Sequence, residues 1–297
     1  MKAFETVWRA KAGKIEEILT KSLPQAVQKP YLLHESMRYS TLGGGKRLRA
    51  LLVMGACKAV AGDVGRTYGL AAALEMIHAY SLVHDDLPCM DDDDLRRGKP
   101  ANHKVYGEAV AVLAGDALLT EAFAELAKMP EKYGVPPPIA LRVIAEVASS
   151  CGSRGMVGGQ VVDILSQGER PDLAVLEYIH AHKTGALISA ALRGGAIVGE
   201  GKEEQIKAIT AYARNFGLAF QITDDILDEM GDPDLLGKKV GSDRRLEKQT
   251  YPRLFGLERS KKMAKTYVNQ CLQALEGFSE DAWLLRELAL FLLRMDY

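Results

Sequence analysis

The run His84-Asp85-Asp86-Leu87-Pro88-Cys89-Met90-Asp91-Asp92-Asp93-Asp94 places six acids within ten positions, directly after the apolar-rich stretch 70–83. Crowding like charges costs free energy, and a solvated acidic run is the plain alternative to a cation site. A calcium loop of the EF-hand kind starting at Asp91 is excluded, because it needs glycine where Arg96 stands. A second run, Phe220-Gln221-Ile222-Thr223-Asp224-Asp225-Ile226-Leu227-Asp228, sets Gln221, Asp224, Asp225 and Asp228 at i, i+3, i+4 and i+7, one face of a helix. Flanked by Phe220, Ile222, Ile226 and Leu227, these carboxylates are expensive to desolvate unless a cation or a wet cavity receives them. Asp224 and Asp228, one turn apart, can aim oxygens at a shared hard cation, which suits Mg²⁺ rather than a softer metal. Mg²⁺ fills its remaining positions with water and phosphate oxygens, so two acidic clusters suggest a phosphorylated substrate. Gly43-Gly44-Gly45-Lys46-Arg47-Leu48-Arg49 supplies positive charge where a flexible backbone opens a helix, without the spacing of a Walker motif. Further cations stand at Arg96, Arg97, Lys183, Lys238 and Lys248, each of which alone reads as a surface residue.

The elements that must carry these groups read as helices. Apolar residues recur at helical spacing, alternating strand patterns are hard to find, and prolines number 11. The spacing predicts helices at 3–27, 46–60, 66–86, 106–128, 136–155, 171–197, 203–230, 250–276 and 281–294, separated by glycines and prolines. The polar stretch 231–249 between two strong helices has the composition of a functional loop or lid. With no internal repeat or linker, the expectation is an all-α, single-domain helical bundle over 1–297.

Composition narrows the function. Of 297 residues, 47% are hydrophobic and 26% charged, and 38 basic against 39 acidic residues leave a net charge of -1, so nucleic acid is not an expected partner. The four cysteines lack disulfide or zinc spacing, and no window reads as a signal peptide or spanning helix. A cytoplasmic protein without membrane insertion is expected.

Taken together the motifs resemble those of the trans-isoprenyl diphosphate synthases, most of all the bacterial short-chain enzymes that make farnesyl diphosphate. The resemblance runs over 39–251. It is carried by Gly44-Gly45-Lys46-Arg47-Leu48-Arg49, by Asp85-Asp86-x4-Asp91 with Leu95-Arg96-Arg97-Gly98, by Lys183-Thr184, and by Phe220-Gln221-x2-Asp224-Asp225-x2-Asp228. It implies an isoprenoid-synthase bundle with a central cavity, in which an allylic diphosphate ionises and isopentenyl diphosphate attacks the resulting cation. A proton is then lost, the released diphosphate serving as base.

By the same resemblance Asp85, Asp86, Asp91, Asp224 and Asp228 hold Mg²⁺, three ions bound together with the allylic diphosphate. Arg96, Lys183, Lys238 and Lys248 contact diphosphate, and Gly45, Lys46, Arg49, His78 and Arg97 cradle isopentenyl diphosphate. Thr184 and Gln221 turn oxygens toward the cation. Tyr80 and Ser81, five and four residues before Asp85, floor the product channel, and the tyrosine there points to farnesyl diphosphate. Gly237, Lys238, Asp243 and Lys248 with Thr250-Tyr251-Pro252 match a closing segment. Two positions depart from the pattern: Ala50 stands where proline is usual and Ala101 where threonine is common. A homodimer is implied, with 105–127 as a candidate interface helix. Three rivals remain: a geranylgeranyl diphosphate synthase with a deeper channel, a terpene cyclase, whose second metal motif normally differs, and a non-catalytic partner subunit of a heteromer.

Overall fold

The computed structural model describes residues 2–169, 172–230 and 250–294. Its helices are α1 (Lys2–Ser22), α2 (Tyr31–Thr41), α3 (Leu48–Ala59), α4 (Tyr68–Asp85), α5 (Asn102–Tyr106), α6 (Glu108–Ala127), α7 (Met129–Tyr133), α8 (Pro137–Cys151), α9 (Met156–Leu165), α10 (Leu173–Ile179), α11 (Gly185–Val198), α12 (Glu203–Met230), α13 (Tyr251–Phe255), α14 (Leu257–Ala274) and α15 (Trp283–Leu292). A two-residue hairpin, β1 (Leu95–Arg96) against β2 (Lys99–Pro100), is the one sheet among the described residues.

Burial explains the layout. A helix that is apolar all round has no solvent face, and α4 buries an unbroken stretch from Gly69 to Ile77 while α11 buries nearly every residue from Leu187 to Val198. These two, with α3, form the centre. α6 lies along α4, α8 along α11, and the amphipathic α12 packs between α11 and α14. One continuous core joins Phe4 and Leu19 of α1 to Leu285 and Leu288 of α15. Phe4, Trp8 and Phe291 close its ends, with ring centroids 5.4 Å apart for Phe4–Trp8 and 5.0 Å for Trp8–Phe291. No described helix is long and apolar enough to cross a membrane.

The all-α expectation holds, with local corrections. The helix expected at 3–27 stops at Ser22, and a separate α2 follows. The one expected at 171–197 is interrupted by a π-helical turn, His180–Thr184, which joins α10 to α11. Gly256, at φ 75, divides α13 from α14 where one helix was expected. α9 and the hairpin were not anticipated: 156–170 was assigned to no element, and Gly98 with Pro100 read as a breaker.

Candidate functional site

The first acidic run begins where α4 ends. Past Asp85 the chain folds back on itself, and the Asp91 amide donates to Asp85 O at 2.9 Å, so both carboxylates belong to one compact turn. The hairpin then returns Arg96 over the run. Its Nε donates to Asp86 Oδ1 at 2.9 Å, its terminal nitrogen bonds the same carboxylate, and Asp93 lies 3.4 Å away. Asp86 is 2% exposed. Burial pushes its carboxyl up while Arg96 pulls it back; burial likewise opposes the charge of Arg96, but Asp86 leaves that guanidinium above its ordinary value. Asp86, expected among the metal ligands, is thus engaged by Arg96.

The glycine-rich loop forms the neighbouring wall. Arg47, at φ 50, is pinned in protein: it donates to Glu16 Oε1 (2.8 Å), to Glu75 (3.4 Å) and to Thr41 O (2.7 Å). Glu75 also accepts the amide of Ala50 at 3.2 Å, so the departure from proline supplies a donor that proline lacks. Gly45, at φ 127, holds a backbone conformation that residues with a side chain rarely adopt, and a Cβ there would stand 2.8 Å from the guanidinium carbon of Arg97, which would have to shift. Arg97 bonds Gly44 O. Burial brings Arg49 down to about 10, Glu75 opposing and Arg97 adding to the fall. His78 is driven well below its ordinary value by burial and then by Arg49, Arg97, Arg96 and Arg47. This wall is a neutral imidazole set among guanidiniums, an arrangement suited to a polyanion. Burial lowers Lys46 and Asp224 acts against that shift; its Nζ stands 5.9 Å from the ring centroid of Phe291.

The second run divides by burial. Asp224 is exposed, whereas Asp225 and Asp228 are each 4% exposed. Gln221 Nε2 donates to Asp225 Oδ1 at 3.3 Å, and Asp225 Oδ2 accepts the Tyr251 amide at 2.9 Å, which ties α13 to α12. Lys183, inside the π-helical turn that Thr184 ends, donates to Asp163 Oδ2 of α9 at 2.5 Å. α9 lies so close to this turn that a Cβ on Gly159 would collide with Lys183 N. His180 opens the turn, lies 3.7 Å from Asp225, and is lowered to about 3 by burial and by Lys183.

Asp163, His180 and the buried amide of Gln160, which has no hydrogen-bond partner among the described residues, are site neighbours that the sequence did not announce, whereas Asp225 was already part of the second motif. The available signal was weak: an acid and a glutamine in a short apolar segment after two glycines. Below the first run, Tyr80 is 6% exposed and meets His84 edge-on at 5.7 Å, while Ser81 bonds back to His78 O at 3.0 Å. Burial, then Cys151 and Asp85, push the Tyr80 hydroxyl up. Gly237, Lys238, Asp243 and Lys248 lie outside the described residues.

The donor set fits a hard cation. Asp85, Asp91, Asp224 and Asp228 offer oxygen only, and among the described residues no three metal-binding side chains converge. An ion there must complete its shell from water and substrate, as Mg²⁺ does.

Residues 30–284 match the family model described as Polyprenyl synthetase. Geranylgeranyl pyrophosphate synthase 11, chloroplastic, of Arabidopsis thaliana is 48% identical over 281 residues, 94% of this chain and 78% of the relative. The heterodimeric geranylgeranyl pyrophosphate synthase large subunit 1, chloroplastic, of the same plant is 48% identical over 270 residues, covering 89% and 73% of the two chains. Among solved structures, an FPP/GFPP synthase from Zymomonas mobilis superposes with a TM-score of 0.86 at 38% identity, covering 98% of this chain and 99% of that one. Geranylgeranyl pyrophosphate synthetase from Pyrococcus horikoshii gives 0.87 at 32% identity, covering 99% and 100%.

Proposed function

The chain belongs to the polyprenyl synthetase family and is a prenyltransferase, and from that premise we propose that it joins isopentenyl diphosphate to allylic diphosphates with geranylgeranyl diphosphate as the main product. The observation that carries this is the pairing of two unlike walls. On one side Arg49, Arg97 and neutral His78 suit a diphosphate that is to be kept; on the other, Asp85, Asp91, Asp224 and Asp228 suit a diphosphate that leaves with metal. Mg²⁺, when bound, supplies charge neutralisation on the departing group.

In this reading Lys183, held by Asp163, and Arg96, held by Asp86, face the leaving diphosphate, and Gly45 keeps the backbone clear for Lys46 and Arg97. The allylic carbon–oxygen bond breaks with its electron pair going to diphosphate. The double bond of isopentenyl diphosphate then forms the new carbon–carbon bond, and the released diphosphate takes the proton. Thr184 and Gln221 present oxygen to the cation. Lys238 and Lys248 complete the contacts to diphosphate.

The farnesyl expectation gives way on product length. The relatives nearly 50% identical to this chain include several geranylgeranyl synthases, which supports the longer product. Farnesyl diphosphate is kept as a second reading for one reason, the buried ring of Tyr80 beneath Asp85. A homodimer is part of the proposal, supported by exposed Val112 and Leu113 on α6 and Val157 and Val161 on α9.

The test is product analysis of the purified chain with Mg²⁺, isopentenyl diphosphate and, separately, dimethylallyl, geranyl or farnesyl diphosphate, with a chelator control. Geranylgeranyl diphosphate from every starter is expected. Accumulation of farnesyl diphosphate, lengthened in Tyr80→Ala, overturns the product in favour of the second reading. No metal-dependent product at all points to a non-catalytic subunit.

A further inference from the structure

A carboxamide has two unlike ends, and only its oxygen suits a neighbouring cation. Which end of Gln221 faces the substrate space is decided by what holds the other. Gln221 Nε2 donates to Asp225 Oδ1 at 3.3 Å, and an ionised carboxylate only accepts, so the amide stands with Oε1 turned away from Asp225. Asp225 is itself held. Its Oδ2 accepts the backbone N–H of Tyr251 at 2.9 Å and stands 3.7 Å from Nε2 of buried His180, whose ring stacks on that of Tyr251 at 5.3 Å.

We propose that Asp225 is a positioning residue that sets the polarity of the Gln221 amide, with the backbone N–H of Tyr251 as the fixed reference. This rests on the reading of Gln221 as a group that faces the allylic cation. A side-chain amide can turn over, but a backbone N–H cannot. In Asp225→Asn, the new side chain must keep its oxygen on Tyr251 N and so turns its NH₂ toward Gln221. Gln221 must answer with Oε1, which swings its own NH₂, the positive end, toward the substrate. A carboxylate at position 221 has oxygen at both ends. Combined with Asp225→Asn, Gln221→Glu accepts from the new NH₂ with one oxygen and faces the cation with the other.

The experiment is steady-state kinetics of the native chain, Asp225→Asn, Gln221→Glu and the double variant, with circular dichroism to confirm that each is folded. Asp225→Asn is expected to lower kcat by on the order of a hundredfold, as loss of one preorganised contact does, with KM for both diphosphates unchanged. Gln221→Glu alone is expected to slow the enzyme by setting two carboxylates side by side. In the Asp225→Asn background it is expected to raise kcat about tenfold, a rescue of about 1.4 kcal/mol. The side-chain amide ¹⁵N resonance of Gln221, assigned by its loss in Gln221→Glu, is expected to move in Asp225→Asn. A native kcat in Asp225→Asn, or a double variant no faster than Asp225→Asn, overturns the inference, the latter because a merely structural Asp225 gives no rescue. A native chain that transfers no prenyl group overturns instead the reading on which the inference rests.

Discussion

His78 shows what company does to a side chain. Burial and four arginines hold its imidazole well below the ordinary value of 6.5, so it is neutral at pH 7 and can donate a hydrogen bond to a phosphate oxygen without a proton to lose. The same shift makes stability depend on pH. The folded value is below the unfolded one, so below about pH 6.5 the unfolded chain binds more protons than the folded chain. The contribution is fully present above that pH and is lost as pH falls, by up to about 1.4 kcal/mol per pH unit. Urea unfolding between pH 7 and 5 should show the decline, to which buried His180, lowered to about 3, also contributes, and His78→Gln should make it shallower; an unchanged slope would remove His78 as a source. At this scale the acids were legible, because six in ten residues after an apolar helix is costly without a purpose. The engagement of Asp86 by Arg96 was not, since it depends on a hairpin that folds ten residues back.

The element that matters most for the site is the π-helical turn. It places Lys183 against Asp163 and Thr184 at the start of α11, and it exists where α9 presses on it through Gly159. Gly159→Ala puts a methyl group into the backbone of Lys183. Overpacking of this kind costs about 1–3 kcal/mol, and the expected result is a lower urea midpoint with a fall in kcat, because the turn cannot shift without moving Lys183. A variant with native midpoint and native kcat would show that the contact relaxes freely. Helical periodicity announced α4, α6 and α12 plainly. It did not announce α9, whose glycines look like breakers locally and act as contact points in the fold.

For the whole molecule, the main core runs from α1 to α15, with smaller clusters at Val83, Leu87 and Ala111 beside the first acidic run and at Ile222, Ile226 and Tyr251 beside the second. It also leaves apolar surface on α6 that the fold itself does not cover: Leu113 is 57% exposed and Val112 40%. Burying a leucine-sized group contributes about 1.5–3 kcal/mol, so Leu113→Asp is expected to shift the proposed homodimer toward monomer in sedimentation analysis; an unchanged sedimentation coefficient would move the interface elsewhere. What the sequence by itself determined was the helical class, the two acidic motifs and the cationic loop, because periodicity and local charge density are properties of neighbours in the chain. Only the tertiary structure decided which acids are engaged, that Asp163 holds Lys183, that Tyr251 N holds Asp225, and that Lys46 senses Asp224. Those partnerships join positions ten or more residues apart, and their strength depends on burial, which no stretch of sequence carries on its own.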